Sequence, residues 1–217
     1  LKSIGLQPDF IVGHSLGEFG CAYADGCFTA EEAILVAHAR GMASNESKNI
    51  QGTMAAVGIG WEELVKVLPS DIDIACHNSI DSTTITGPTE SVRKFIGKLS
   101  TEGIFVREIQ SSGIALHSRY IQDFANRFYE KLKEILKSPK HRSSKWLSTT
   151  FNKDLWDVEV TQLASPEYCV KNLINPVLFS EVTAMLPSDC LTLEIGPHAL
   201  LKSILKRSIK DGIHVSL

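Results

Sequence analysis

Hydrophobic and polar positions change period several times along this chain, and each change predicts an element. The run Phe10-Ile11-Val12 after Pro8 reads as a short buried strand over 9–13, and the mixed pattern from Leu16 to Tyr23 as a helix that begins at once afterwards. Thr29, followed by Glu31 and Glu32, has the chemistry of a helix N-cap, and Ala33, Ile34, Ala37 and Met42 carry that helix to about Met42. From Thr53 the order is strand (53–59), helix (61–68), strand (71–78), strand (82–87), helix (89–103), strand (104–110), the β-α-β-β-α-β sequence of a ferredoxin-like unit. Ile121, Phe124, Phe128, Leu132 and Ile135 then recur at helical spacing, ending before Pro139. Lys145–Thr150 predicts a strand, 165–174 and the segment after Asn175-Pro176 helices, 190–196 a buried strand, 198–209 a helix and 214–217 a last strand.

Strands alternating with helices on both sides of the insert imply the α/β class: an α/β-hydrolase-like parallel-sheet core carrying an inserted ferredoxin-like subdomain. The expected large subdomain is 1–52 with 111–217, its first strand missing upstream, and the small subdomain is 53–110. Composition leaves this picture intact. The 217 residues suffice for a sizeable core, and 43% hydrophobic and 22% charged residues are ordinary globular values. A net charge of −3 gives no basic field for nucleic acid, and no apolar run approaches the roughly 18 residues of a membrane span. A soluble cytoplasmic protein is expected. The five cysteines, Cys21, Cys27, Cys76, Cys169 and Cys190, are scattered with no metal-type spacing and read as reduced, mostly buried thiols. The chain opens without Met, almost directly on a strand, and is expected to be part of something longer.

The candidate chemistry lies in Gly13-His14-Ser15-Leu16-Gly17, a G-x-S-x-G between the first strand and helix. That pattern makes a nucleophile elbow: glycines two residues either side of the serine relieve collision in a tight turn, and the helix N-terminus offers N–H groups, including that of Leu16, to an oxyanion. A serine nucleophile needs a base. His14 points away from the turn and reads as a packing residue; His38, His77, His141 and His214 read as structural or solvated. Two candidates stay open. His198 follows a late strand in the chain order of hydrolases, with Glu194 nearby. His117, straight after the insert, would need a backbone carbonyl to orient it.

The motifs GHSLGE, HARG around Arg40, the β-α-β-β-α-β insert, ALHS at 115–118, NPV at 175–177 and EIGPH at 194–198 together resemble the malonyl/acetyl-transferase domain of animal-type fatty acid synthase. The resemblance covers essentially the whole chain and implies a dyad of Ser15 and His117, with the imidazole held by main-chain carbonyl oxygen between Asn175 and Leu178. It implies that Arg40 grips the malonyl carboxylate, which a planar guanidinium does bidentately. It implies substrate contacts for Leu116 and His14, and makes His198 a loop residue. By resemblance the substrates are malonyl- and acetyl-coenzyme A and the phosphopantetheine thiol of an acyl carrier protein. No bound cofactor or metal is expected; the neighbour is a ketosynthase domain and the parent chain a homodimer. A second oxyanion donor of the family, on a glutamine of an upstream strand, is absent from this chain. Leu116 stands where the animal synthases carry phenylalanine. The alternatives are a hydrolase using Ser15 and His198, and a non-catalytic docking domain. The basic segments 137–145 and Lys206-Arg207 read as solvated faces rather than phosphate or carrier-protein contacts.

Overall fold

The computed structural model describes residues 2–217. In chain order the elements are β1 (Ile11–Val12), α1 (Gly17–Ala24), α2 (Ala30–Glu46), β2 (Gly52–Val57), α3 (Trp61–Leu64), β3 (Asp73–Ser79), β4 (Ser82–Pro88), α4 (Thr89–Thr101), β5 (Val106–Ile109), α5 (Gln122–Ile135), β6 (Trp146–Leu147), α6 (Glu159–Gln162), α7 (Pro166–Ile174), α8 (Phe179–Thr183), β7 (Leu191–Glu194), α9 (Lys202–Ser208) and β8 (Ile213–Ser216). They form two compact units. One comprises the chain up to Asn49 with Ile121–Asn175; the other comprises Ile50–Tyr120 with Pro176–Leu217.

In the first unit β1 and β6 pair in parallel, Ile11 opposite Trp146 and Val12 opposite Leu147. Helix α2 starts with a capping box: Thr29 Oγ1 accepts from Glu32 N–H (3.1 Å) and the Glu32 carboxylate accepts from Thr29 N–H (2.7 Å). It runs past the expected end at Met42 because Val36, Ala39 and Ala43 continue one buried stripe and no breaker intervenes. Phe124, Phe128 and Leu132 of α5, spaced by four, are buried opposite it. Of the strand expected over 145–150 only Trp146 and Leu147 pair. Ser148, Thr149 and Thr150 are all buried and turn their polar groups to other work, described below.

The second unit holds the expected ferredoxin-like order, an antiparallel sheet β3-β4-β2-β5 with α3 and α4 between its strands. Its core joins Ala55, Val57, Leu64, Ile85, Val92, Phe95 and Leu99. α3 stops at Leu64, short of the expected residue 68, since Val65 and Val67 face solvent and bury nothing that would extend it. β7 and β8 form a parallel pair, Leu191 opposite Ile213 through Glu194 opposite Ser216. The helix expected from His198 begins only at Lys202. The Glu194 carboxylate accepts the N–H groups of Leu200 (2.7 Å) and Leu201 (2.8 Å), and so caps the helix there.

Residues 176–217 fall in the unit of the ferredoxin-like segment, whereas the sequence reading grouped them with 1–52 and 111–175. Local bonds account for it: Val177 N–H donates to Ala75 O and His77 N–H donates to Val177 O, each at 2.8 Å, and Arg207 pairs with Asp81.

Candidate active site

The first unit places Ser15 at the turn from β1 to α1 with φ of 53°, in the left-handed region that a serine adopts only where its surroundings force it. Gly13 is what permits that turn. A Cβ there would lie 2.4 Å from Glu18 N, 2.5 Å from Gly17 C and 2.7 Å from Glu18 Cα, all backbone atoms. The expectation that both glycines relieve crowding is corrected at Gly17, where an added Cβ meets nothing within 4 Å. Gly17 N–H bonds His14 O (2.9 Å), Glu18 N–H bonds Ser15 O (3.1 Å) and Phe19 N–H bonds Leu16 O (3.1 Å). Among the described residues the N–H of Leu16 makes no such bond. His14 and Ser15 are both half-buried.

The polar residues after β6 brace the elbow from beneath. Thr149 Oγ1 bonds Gly13 O at 2.7 Å, and Asn172 Nδ2 donates to Ser15 O (3.2 Å) and to Thr150 Oγ1 (3.1 Å). Asn175 Nδ2 donates to Thr150 O at 3.1 Å. Ser15 and Asn175, singled out separately in the sequence, thus belong to one network through Asn172 and Thr150. Glu18 lies at its centre, wholly buried. Nothing in the spacing pointed to Asn172, Thr149 or Thr150; Glu18 stood in the GHSLGE motif without a role.

Arg40, six residues before the end of α2, is half-buried, and its Nη1 is buried with no hydrogen-bond partner. Burial pushes the guanidinium down to about 10, with the nearby Cys169 acting weakly in the opposite sense. It stays charged at neutral pH. A buried cation without an anion is costly.

The second unit fixes His117 in a strained turn of its own, with φ of 56° and 3% of its surface exposed. The segment approaches β2 so closely that a Cβ on Gly52 would lie 2.4 Å from Ala115 N. Ser118 Oγ bonds Ala115 O at 2.5 Å, Asp73 accepts from Arg119 N–H (3.0 Å) and grips its guanidinium, and Tyr120 OH bonds Asp71 O at 2.8 Å. Among the described residues the non-glycine positions with positive φ are Ser15, Ser112 and His117, which include both members of the expected dyad. Leu116 is half-buried beside His117. Leu178, at the start of α8, follows directly on the Val177 that bonds β3.

Of the remaining histidines, His77 and His214 have local partners. His198 is exposed in the loop before α9, and Glu194 is engaged elsewhere, its second oxygen accepting from Ser216 Oγ (3.2 Å). His214 Nε2 bonds Ile209 O (3.0 Å), which fixes the proton on Nε2 because a carbonyl only accepts. His77 stacks on Trp61 at 4.4 Å and bonds Glu181. In the basic segment, Lys140, Arg142 and Lys145 each donate to backbone carbonyls, of Gly26, Thr161 and Pro8 among others.

The acyl transferase domain family matches residues 1–216 of the chain. The chain belongs to that family. A highly reducing polyketide synthase of Aspergillus nomiae is 39% identical over 213 residues, covering 95% of this chain and 8% of its own length. A reducing polyketide synthase of Alternaria brassicicola is 35% identical over 223 residues, covering 97% and 9%. The chain therefore spans under a tenth of the length of these relatives. Among solved structures, the acyltransferase domain of the polyketide synthase PpsC of Mycobacterium tuberculosis has a TM-score of 0.85 at 23% identity, covering 99% of this chain and 67% of that one. The malonyl CoA-acyl carrier protein transacylase of Coxiella burnetii has a TM-score of 0.82 at 22% identity, covering 100% and 70%. These likenesses agree with the α/β class and an acyltransferase fold. The relatives are polyketide synthases, so the acyl transferase assignment stands while the narrower likeness to animal fatty acid synthase does not follow from them.

Proposed function

We propose that this domain transfers malonyl groups, and acetyl groups less selectively, from coenzyme A to the phosphopantetheine thiol of an acyl carrier protein within a multidomain synthase. The observation that carries the choice of a carboxylated acyl group is Arg40, whose charged guanidinium keeps Nη1 buried and unpartnered. In the reaction, Ser15 Oγ attacks the thioester carbonyl while His117 takes its proton. The Leu16 N–H steadies the oxyanion, the C–S bond breaks, and the coenzyme A thiol leaves with a proton from His117. The carrier-protein thiol then gives its proton to His117 and attacks the acyl-serine, returning Ser15. Asn175 to Leu178 supplies the carbonyl that orients His117, and Leu116 lines the acyl pocket. This chemistry calls on no bound cofactor. The fungal relatives favour polyketide over fatty acid assembly as the parent pathway, in a cytoplasmic dimeric synthase with a neighbouring ketosynthase.

The test is incubation with malonyl- or acetyl-coenzyme A and peptide mass spectrometry. A malonyl adduct on Ser15 that passes to added carrier protein is expected. Arg40→Ala should cut malonyl loading by about 10²-fold, the scale of a lost charge-assisted pair, and spare acetyl loading. Equal loss of both acyl groups would overturn the role of Arg40; an adduct that requires His198 instead of His117 would overturn the dyad.

A further inference from the structure

Glu18 is a wholly buried carboxyl group that the proposed chemistry does not use, three residues beyond Ser15. Its Oε1 lies 3.1 Å from both Thr149 N and Thr149 Oγ1, and its Oε2 meets the hydroxyl of Tyr168, which is 2.6 Å from Ser148 Oγ. The Thr149 hydroxyl has a single hydrogen and two oxygen neighbours. Gly13 O, the closer at 2.7 Å, can only accept, so the hydrogen belongs there. The contact between Thr149 Oγ1 and Glu18 Oε1 then lacks a hydrogen unless Glu18 carries one. Among the described residues no ion pair includes Glu18; the Arg142 charge favours the ionised form but does not outweigh burial. The Arg142 guanidinium stands over the Tyr168 ring at 5.4 Å and donates to Thr161 O and Trp146 O instead. The other groups facing Glu18 are the thiols of Cys21 and Cys169 and the indole of Trp146, none of them cationic.

We infer that Glu18 is a positioning residue held as a neutral carboxylic acid, which locks Thr149 onto Gly13 O and anchors Tyr168 of α7, the helix whose Asn172 holds Ser15 O. Its own main-chain N–H bonds Ser15 O, and its carboxyl group meets the hydroxyl that holds Gly13 O, so both sides of the serine hang on one residue, the second through its side chain. Burial pushes the carboxyl up from its ordinary 4.5, and the bonds from Tyr168 and Thr149 only partly offset that. The protonation claim is independent of the proposed function; the positioning claim rests on Ser15 being the nucleophile.

The sign of the pH effect follows. Folding takes up a proton on Glu18 at any pH above 4.5 and below its folded value, so the wild type loses stability as pH rises through that window. The loss is tenfold in the folding constant per pH unit, about 1.4 kcal/mol. Glu18→Gln cannot ionise and has the shape of the neutral acid. Urea unfolding of both proteins from pH 5 upward should show the wild type falling relative to Glu18→Gln by one proton's worth. A difference independent of pH above 5 overturns the neutral acid. In wild-type protein carrying glutamate labelled with carbon-13 at the carboxyl, one resonance should keep its protonated position after the others have titrated; uniform titration overturns the claim even if no variant folds. For positioning, a fluorophosphonate probe that forms a Ser15 Oγ–P bond with loss of fluoride should label Glu18→Gln within about threefold of wild type and Glu18→Ala at least about tenfold more slowly. Equal labelling of Glu18→Ala overturns positioning. A wild type that takes no label overturns the nucleophile and the positioning role with it, while the resonance still decides the protonation.

Discussion

The two glycines of the elbow should answer the same substitution in opposite ways. In Gly13→Ala the new Cβ lands 2.4 Å from Glu18 N and 2.5 Å from Gly17 C, against about 3.5 Å for unstrained contact, so roughly 1 Å of relief is needed. The obstructing atoms are backbone at the head of α1 and cannot swing aside as a side chain would. Overpacking of this kind costs about 1–3 kcal/mol, and the upper end applies here. If the turn yields, Ser15 moves by a comparable distance, a misplacement worth about 10²-fold in rate. Gly17 sits in open space at the first residue of α1, where alanine should stabilise by about 0.5 kcal/mol, the low end of the Gly-to-Ala gain within a helix. Urea midpoints report the stability and fluorophosphonate labelling of Ser15 reports the reactivity. Gly13→Ala with wild-type stability and labelling, or Gly17→Ala with losses as large as those of Gly13→Ala, would refute the assignment of the steric demand to Gly13 alone.

Thr29→Ala removes the hydroxyl that accepts from Glu32 N–H, leaving the backbone N–H of residue 29 to the Glu32 carboxylate, and should cost about 1 kcal/mol, read as a lowered urea midpoint with unchanged slope. Burial pushes Cys27 and Cys76 to about 12, so at pH 8 their thiolate fraction is about 10⁻⁴; a thiol reagent should label the half-buried Cys190 first and reach Cys76 only on unfolding. Rapid native labelling of Cys76 would contradict the packing of β3.

Local pattern made part of this molecule legible. The insert's β-α-β-β-α-β order, the Thr29 cap and the buried stripe of α5 all follow from neighbours in sequence, and so did the serine, because strand, turn and helix are written consecutively there. The strain at Ser15 and His117 is a different matter, since φ is imposed by surroundings that the spacing does not record. Gly13 and Gly17 look alike in the motif and differ only because α1 folds back over one of them. The shortened β6 and the delayed α9 have different reasons: Thr149 is bound by Gly13 and Glu18, more than a hundred residues away, whereas Glu194 accepts the N–H groups of Leu200 and Leu201 only six and seven residues on, a side-chain bond that periodicity does not record. Asn172 lies 157 residues from the carbonyl it holds, beyond the reach of any periodicity.

The division into two discontinuous units bears on how the protein is made. As this segment emerges from the ribosome the turn around Ser15 appears well before its partners: β1 waits for Trp146 to pair, and Ser15 O waits for Asn172. Long closures of this kind form late and slowly. Until then the first unit lacks its second half, while Ile50–Tyr120 is complete as a four-stranded sheet much earlier. Within this segment the Ser15 turn therefore stays unbraced until Trp146 and Asn172 have both been made, well after the four-stranded sheet has all its strands.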